Sequence, residues 1–155
     1  MKVGFSSVSD PNDRSYWSGT PYFMVKHLKE ARPDWNLTPL GPLQVFLQPF
    51  KAKNTLYTRA FKEDYLCDFE PVLHKCLSNE VARRLRHLGG ADLIISPGCF
   101  PYPNVFLDTN VPIVFWADAT FANLLDVVPS YNNLCAETGW YGQELQQKML
   151  DGASK

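Results

Sequence analysis

Asp118 is the residue whose type and place most suggest chemistry. It follows the run Val111-Pro-Ile-Val-Phe-Trp116, which is rich in β-branched and aromatic residues and too short for a helix of its own. That run is expected to be a buried strand. Apolar residues at successive positions predict that both pleat faces are covered, as in a parallel sheet flanked by helices. Open α/β sheets bind ligands beyond the carboxyl ends of their strands, so Asp118 and the nearby Thr120 fall where such a fold does its chemistry. A second role also fits Asp118: capping the next helix by accepting a backbone N–H.

A second candidate lies after the first strand. Ser18-Gly19-Thr20-Pro21 joins loop to helix, with Thr20 suited to the N-cap and Pro21 to the first helical position. Free N–H groups and the helix dipole attract an anion there, and glycine lets a ligand approach the backbone. A plain strand–turn–helix junction uses the same residues. A third turn at a strand's carboxyl end is Ser96-Pro97-Gly98, followed by the aromatic loop Cys99-Phe-Pro-Tyr-Pro-Asn104.

The elements that must position these residues follow from periodicity. Strand one is expected over Lys2–Val8, with a helix capped by Thr20 that runs from Pro21 to about Ala31 and that Pro33 ends. Trp35–Leu40 reads as strand two. Leu43–Phe50 reads as a short helix stopped near Pro49. Lys51–Asp68 has only a loose helical period and a small basic cluster, read as a solvated face. Leu73, Leu77, Val81 and Leu85 recur every four residues and mark a helix from Pro71 to about Leu88, closed by Gly89-Gly90. Ala91–Gly98 is the next buried strand, and Val105–Leu107 a short helical connection. A helical turn over Phe121–Asp126 and a last helix over about Asn132–Leu150 complete the order, with Gly139 and Gly142 weakening that helix's middle. Alternating strands and helices predict one α/β domain over 1–155, a Rossmann-like three-layer α/β/α fold with a mainly parallel sheet.

The bulk composition narrows the function. A chain of 155 residues suits a single domain. A net charge of −1 gives no reason to expect general nucleic-acid binding. Aromatics make up 14% of the chain, and many fall in loop-like segments, where they suit a binding surface or packed loops. Cys67, Cys76, Cys99 and Cys135 form no C-x-x-C pair and have no histidine at zinc-finger spacing, so reduced thiols in a cytoplasmic protein are expected, with no metal site. The longest apolar region carries Asp118 and Asp126, so no transmembrane segment is expected. His27, His74 and His87 read as ordinary surface or boundary residues. Asn36-Leu-Thr38 reads as a chance sequon.

Three pieces together resemble one family: Tyr16-Trp-Ser-Gly-Thr-Pro-Tyr22, Ala91-Asp-Leu-Ile-Ile-Ser-Pro-Gly98, and Pro112-Ile-Val-Phe-Trp-Ala-Asp-Ala-Thr-Phe121 with the downstream Tyr131-Asn-Asn-Leu-Cys-Ala-Glu137. Their order and spacing resemble the N-terminal half of a GT-B-type retaining glycosyltransferase, which uses nucleotide sugars. The resemblance implies an incomplete GT-B N-terminal domain that holds the acceptor, with the donor domain absent. It places Gly19 and Thr20 near the donor phosphates and Asp118 near the transferred sugar. It makes Trp17, Ser96, Gly98 and Tyr102 candidate acceptor contacts, with Ser18 and Thr120 beside them. It calls for no cofactor and no metal.

The family's basic residues for the departing nucleoside diphosphate have no counterpart here, so the chain alone is expected to be inactive. The alternative expectation is a non-catalytic Rossmann-like binding or interaction module. A small stand-alone nucleotide-binding enzyme fits poorly, because the chain has neither G-x-G-x-x-G nor G-x-x-x-x-G-K-[ST]. An apolar edge at Val111–Trp116 predicts a homodimer or a partner chain.

Overall fold

The computed structural model describes residues 1–44 and 48–153. The chain is α/β. Four parallel strands, β1 (Lys2–Phe5), β2 (Asn36–Pro39), β3 (Leu93–Pro97) and β4 (Ile113–Trp116), lie in the order β2-β1-β3-β4. Val3 pairs with Leu37 on one side and Leu93 on the other, while Ile95 pairs with Val114. The helices among the described residues are α1 (Thr20–Ala31), α2 (Gln48–Ala60), α3 (Pro71–His87), α4 (Phe121–Val127) and α5 (Ala136–Ala153).

Strand alternation sends successive side chains to opposite faces and so builds two cores. Val3, Phe5, Leu37 and Ile95 pack with Met24 and Val25 of α1 on one face. Ile94 and Ile113 pack on the other with Leu73, Leu77, Val81 and Leu85 of α3 and Leu145 and Met149 of α5. The outcome is the expected Rossmann-like three-layer arrangement. The four-residue leucine period of α3 is its buried stripe, and the αL glycines Gly89 and Gly90 close it.

Several elements differ from the sequence-based expectation. Strand β4 is a sheet edge, as the apolar run suggested, but only one of its faces is covered rather than both. Val114 and Trp116 share the α1 face with Ile95, but α1 packs over the other three strands, which leaves them 45% and 53% exposed. The expected helix over Leu43–Phe50 falls partly on residues 45–47, outside the described residues. Pro49 begins a helix rather than stopping one: it lies in the first turn of α2, where a missing N–H costs nothing. Residues 103–106 form a hydrogen-bonded turn in place of a short helix, with Leu107 N donating to Asn104 O at 3.0 Å.

Helix α5 starts at Ala136, because the segment before it pairs with the end of the α2 connection. Asp64 N donates to Asn133 O at 2.8 Å, and Cys135 N donates to Asp64 O at 3.0 Å. Gly142 does more than weaken α5. The Phe121 ring lies directly on its backbone, where a Cβ would collide with the ring. No helix among the described residues is long and apolar enough to cross a membrane.

Candidate functional site at the carboxyl edge of the sheet

The cleft is built by three connections that leave the carboxyl side of the sheet. The first follows β1 and reaches α1 through an unusual turn: Trp17, Ser18 and Gly19 all have positive φ, at 45°, 53° and 78°. Left-handed backbone is costly for residues with a Cβ, roughly 1–3 kcal/mol each, and is held only where packing enforces it. Gly19 occupies the N-cap of α1, with Pro21 in the first turn, so the expected helix start is displaced by one residue. The second connection is the 98–104 loop after β3. The third is the β4–α4 junction.

Gly98 lets the last two approach each other. Its N–H donates to Trp116 O at 2.7 Å, and a Cβ there would lie 2.6 Å from Ala117 Cα. Between the three connections opens a cleft of about 390 Å³. Asp118, Trp17 and Gly98 all line it. The helix-capping role falls to Thr120, whose Oγ1 accepts from Asn123 N at 3.2 Å. The Asp118 carboxylate has no hydrogen-bond or ion partner among the described residues and faces the cleft free.

The other sequence candidates lie around this cleft rather than on it. Ser18, Gly19 and Thr20 follow Trp17 at the start of α1, outside the lining. Ser96 is fully buried and its Oγ has no partner. Tyr102 is also fully buried: its ring stacks 4.4 Å from Phe100 and meets Phe115 edge-on at 5.3 Å, and its hydroxyl accepts from Gln146 Nε2 at 3.4 Å. In this geometry Tyr102 lies behind the lining and supports the wall.

The structure adds wall residues that sequence reasoning did not single out. Asp68, Tyr131, Phe100, Cys99, Leu124 and Val128 line the cleft with Tyr16. An aromatic cluster stiffens the wall from behind: Phe69 lies 4.4 Å from Phe100 and 4.8 Å from Phe121, and Tyr131 lies 6.2 Å from Phe69. No periodic signal marks Asp68, which sits in a short 3-10 turn, Cys67–Phe69, between two helices. Its neighbour Phe69, buried to 1%, anchors that turn.

His74 ties two of the walls together. Against expectation it is fully buried, with Nδ1 3.0 Å from Tyr102 O and Nε2 2.8 Å from Asp68 O. Burial drives its pKa down, while the two carbonyls pull the other way. A neutral imidazole carries one N–H, so it donates to one carbonyl and turns a lone pair to the other.

Burial also decides which groups in the cleft carry charge. It pushes the Cys99 thiol up to about 11, so the thiolate nucleophile is scarce at neutral pH. The Tyr16 phenol is pushed far up by burial, helped by Cys99 and Asp68. Asp68 keeps one exposed side, yet desolvation against the wall raises its carboxyl above the ordinary 3.8. No Lys, Arg or His among the described residues lines the cleft. Among the described residues no group of His, Cys, Asp and Glu is placed to hold a metal ion. The Tyr16 hydroxyl donates to Phe100 O at 3.4 Å, so the arrangement can accept hydrogen bonds through two carboxylates, donate one through the Tyr131 phenol, and offer aromatic surface at Trp17 and Tyr131. Compared with known proteins, the chain matches no family model, no curated protein and no solved structure.

Proposed function

We propose that this domain is the acceptor-side half of a GT-B-type retaining glycosyltransferase. In that role it works with a second, donor-binding domain to transfer sugar from a nucleotide sugar. One observation supports the reading above the others: Asp118, Trp17 and Gly98, drawn from three separate parts of the chain, converge on one cleft at the carboxyl edge of a parallel sheet. An aromatic wall with carboxylates suits a sugar, whose rings offer apolar faces and many hydroxyl donors. Asp118 orients the sugar or stabilises positive charge developing at its anomeric carbon. At the start of α1 the Thr20 N–H donates to Trp17 O and Pro21 has none, so the positive end of the helix dipole, rather than free N–H groups, favours a donor phosphate beside the cleft.

A second reading, a non-catalytic binding or interaction module, is favoured by a different observation. Among the described residues no cation lines the cleft to neutralise a departing diphosphate. The two readings separate in assay. The pure protein with a nucleotide sugar is expected to release no nucleoside diphosphate above background, and robust turnover refutes that expectation. When a donor domain is supplied, loss of transfer in Asp118→Ala with the fold intact supports the transferase. Absence of transfer in both forms, with sugar binding unchanged, supports the module.

A further inference from the structure

The cleft's charge is unbalanced in a way its function must answer. Asp68 and Asp118 both line it, and neither carboxylate has an ion or hydrogen-bond partner among the described residues. Around them stand the rings of Tyr16, Trp17, Phe100 and Tyr131. A ring that presents its face carries negative quadrupole charge there, and no ring supplies a positive charge to offset the carboxylates.

We propose that the cleft takes a cationic ligand, an acceptor bearing a protonated amine such as an amino sugar. This names the substrate class of the cleft described above and rests on that site being the acceptor site. An ammonium supplies the missing partner for a carboxylate, a charge-assisted contact that offsets the water it gives up, and aromatic rings attract the same cation. A neutral polyol leaves both acids of the cleft without a counter-charge. A phosphorylated or carboxylated ligand adds a third negative charge with no basic side chain to receive it. The crowding of Asp68 acts in the same direction, because a bound cation restores the stability of its ionised form.

The test is titration of the full protein at pH 6.5 and low salt, followed by the NMR shifts of Gly98 N–H and the Trp17 indole. Four probes are used: glucosamine, glucose, glucose 6-phosphate and cyclohexylamine. Glucosamine is expected to bind at least about tenfold more tightly than glucose, a factor one partly desolvated charge contact readily supplies, and glucose 6-phosphate is expected not to bind. Raising the salt to 1 M shortens the screening length to about 3 Å, weakens the two amines and leaves glucose unchanged. Asp68→Asn and Asp118→Asn each remove most of the preference, whereas Glu144→Gln, on the exposed side of α5, retains it.

Equal binding of glucose and glucosamine overturns the proposal and leaves the sugar-site reading standing. Cyclohexylamine binding as well as glucosamine upholds the cation preference and counts against the sugar site. No shift with glucosamine overturns the proposal.

Discussion

Two glycines three residues apart on α5 should respond oppositely to the same substitution. Gly142→Ala places a Cβ 2.6 Å from Phe121 Cε2 and closer still to two other ring atoms, where ordinary contact begins near 3.4 Å. The ring edge must therefore retreat by about 1 Å, a displacement that a close-packed interior resists. Phe121 has no exposed surface, and the rings of Phe69 and Phe100 stand 4.8 and 6.0 Å away. Overpacking of this kind costs roughly 1–3 kcal/mol, and a hemmed-in ring belongs at the upper end. Replacing a mid-helix glycine returns up to about 1 kcal/mol.

The expected net loss is about 2 kcal/mol, or a fall in Tm of about 4–8 °C for a domain of this size. Gly139→Ala meets nothing within 4 Å. It keeps the helix gain, about 0.5–1 kcal/mol, and raises Tm by a few degrees. Thermal melts followed by circular dichroism, with urea midpoints alongside, measure both. A Gly142→Ala protein that melts at or above the parent temperature refutes the packing argument. Shrinking the ring in Phe121→Leu on the Gly142→Ala background should recover part of the loss, and strict additivity of the two changes would separate the glycine from the ring.

Three further outcomes are expected. Gly98→Ala drives a methyl into Ala117, so it should both lower Tm and abolish any ligand-induced shift of Trp17, read by indole NMR; a normal titration would show that the two connections do not need this contact. His74→Ala leaves the Asp68 and Tyr102 carbonyls without their buried partner, at a cost of roughly 1–3 kcal/mol for the group left unpaired. Because burial lowers the folded-state pKa of His74, its contribution is fully present above its ordinary 6.5 and is lost as pH falls through the folded value, a dependence that urea midpoints should show in the parent and not in the variant. For Asp68 the sign is reversed: its raised folded-state pKa makes the ionised form a liability, absent below 3.8 and fully felt above the folded value. Asp68→Asn should therefore be the more stable protein at pH 7 and match the parent below about pH 4; equal stability at both pH values would mean that the wall does not desolvate the carboxyl.

Much of the fold was legible because local chemistry and global structure agree. The leucines of α3, the Gly19-Thr20-Pro21 start of α1 and the apolar run of β3 each specify their element without help from distant residues. Boundaries failed where a distant partner intervened. Asp64 holds 133–135 extended and so delays α5, and Pro49 suits a first turn as well as a stop. Of the candidate site residues, Asp118, Trp17 and Gly98 meet in the cleft, while Tyr102 and Ser96 lie buried beneath it. The reason is that a strand end shows in sequence, but the direction a loop side chain takes afterwards does not.

The sequence by itself determined the alternation of strands and helices, the parallel sheet and the position of Asp118 beyond a strand's carboxyl end, since these rest on periodicity and on turn residues close in the chain. Tertiary structure alone decided that Val114 and Trp116 on β4 are left half exposed, that His74 is buried between two loops, and that Asp68 lines the same cleft as Asp118. Each of these depends on contacts between residues far apart in sequence, and the chain's local pattern holds no record of which distant surface a side chain will meet.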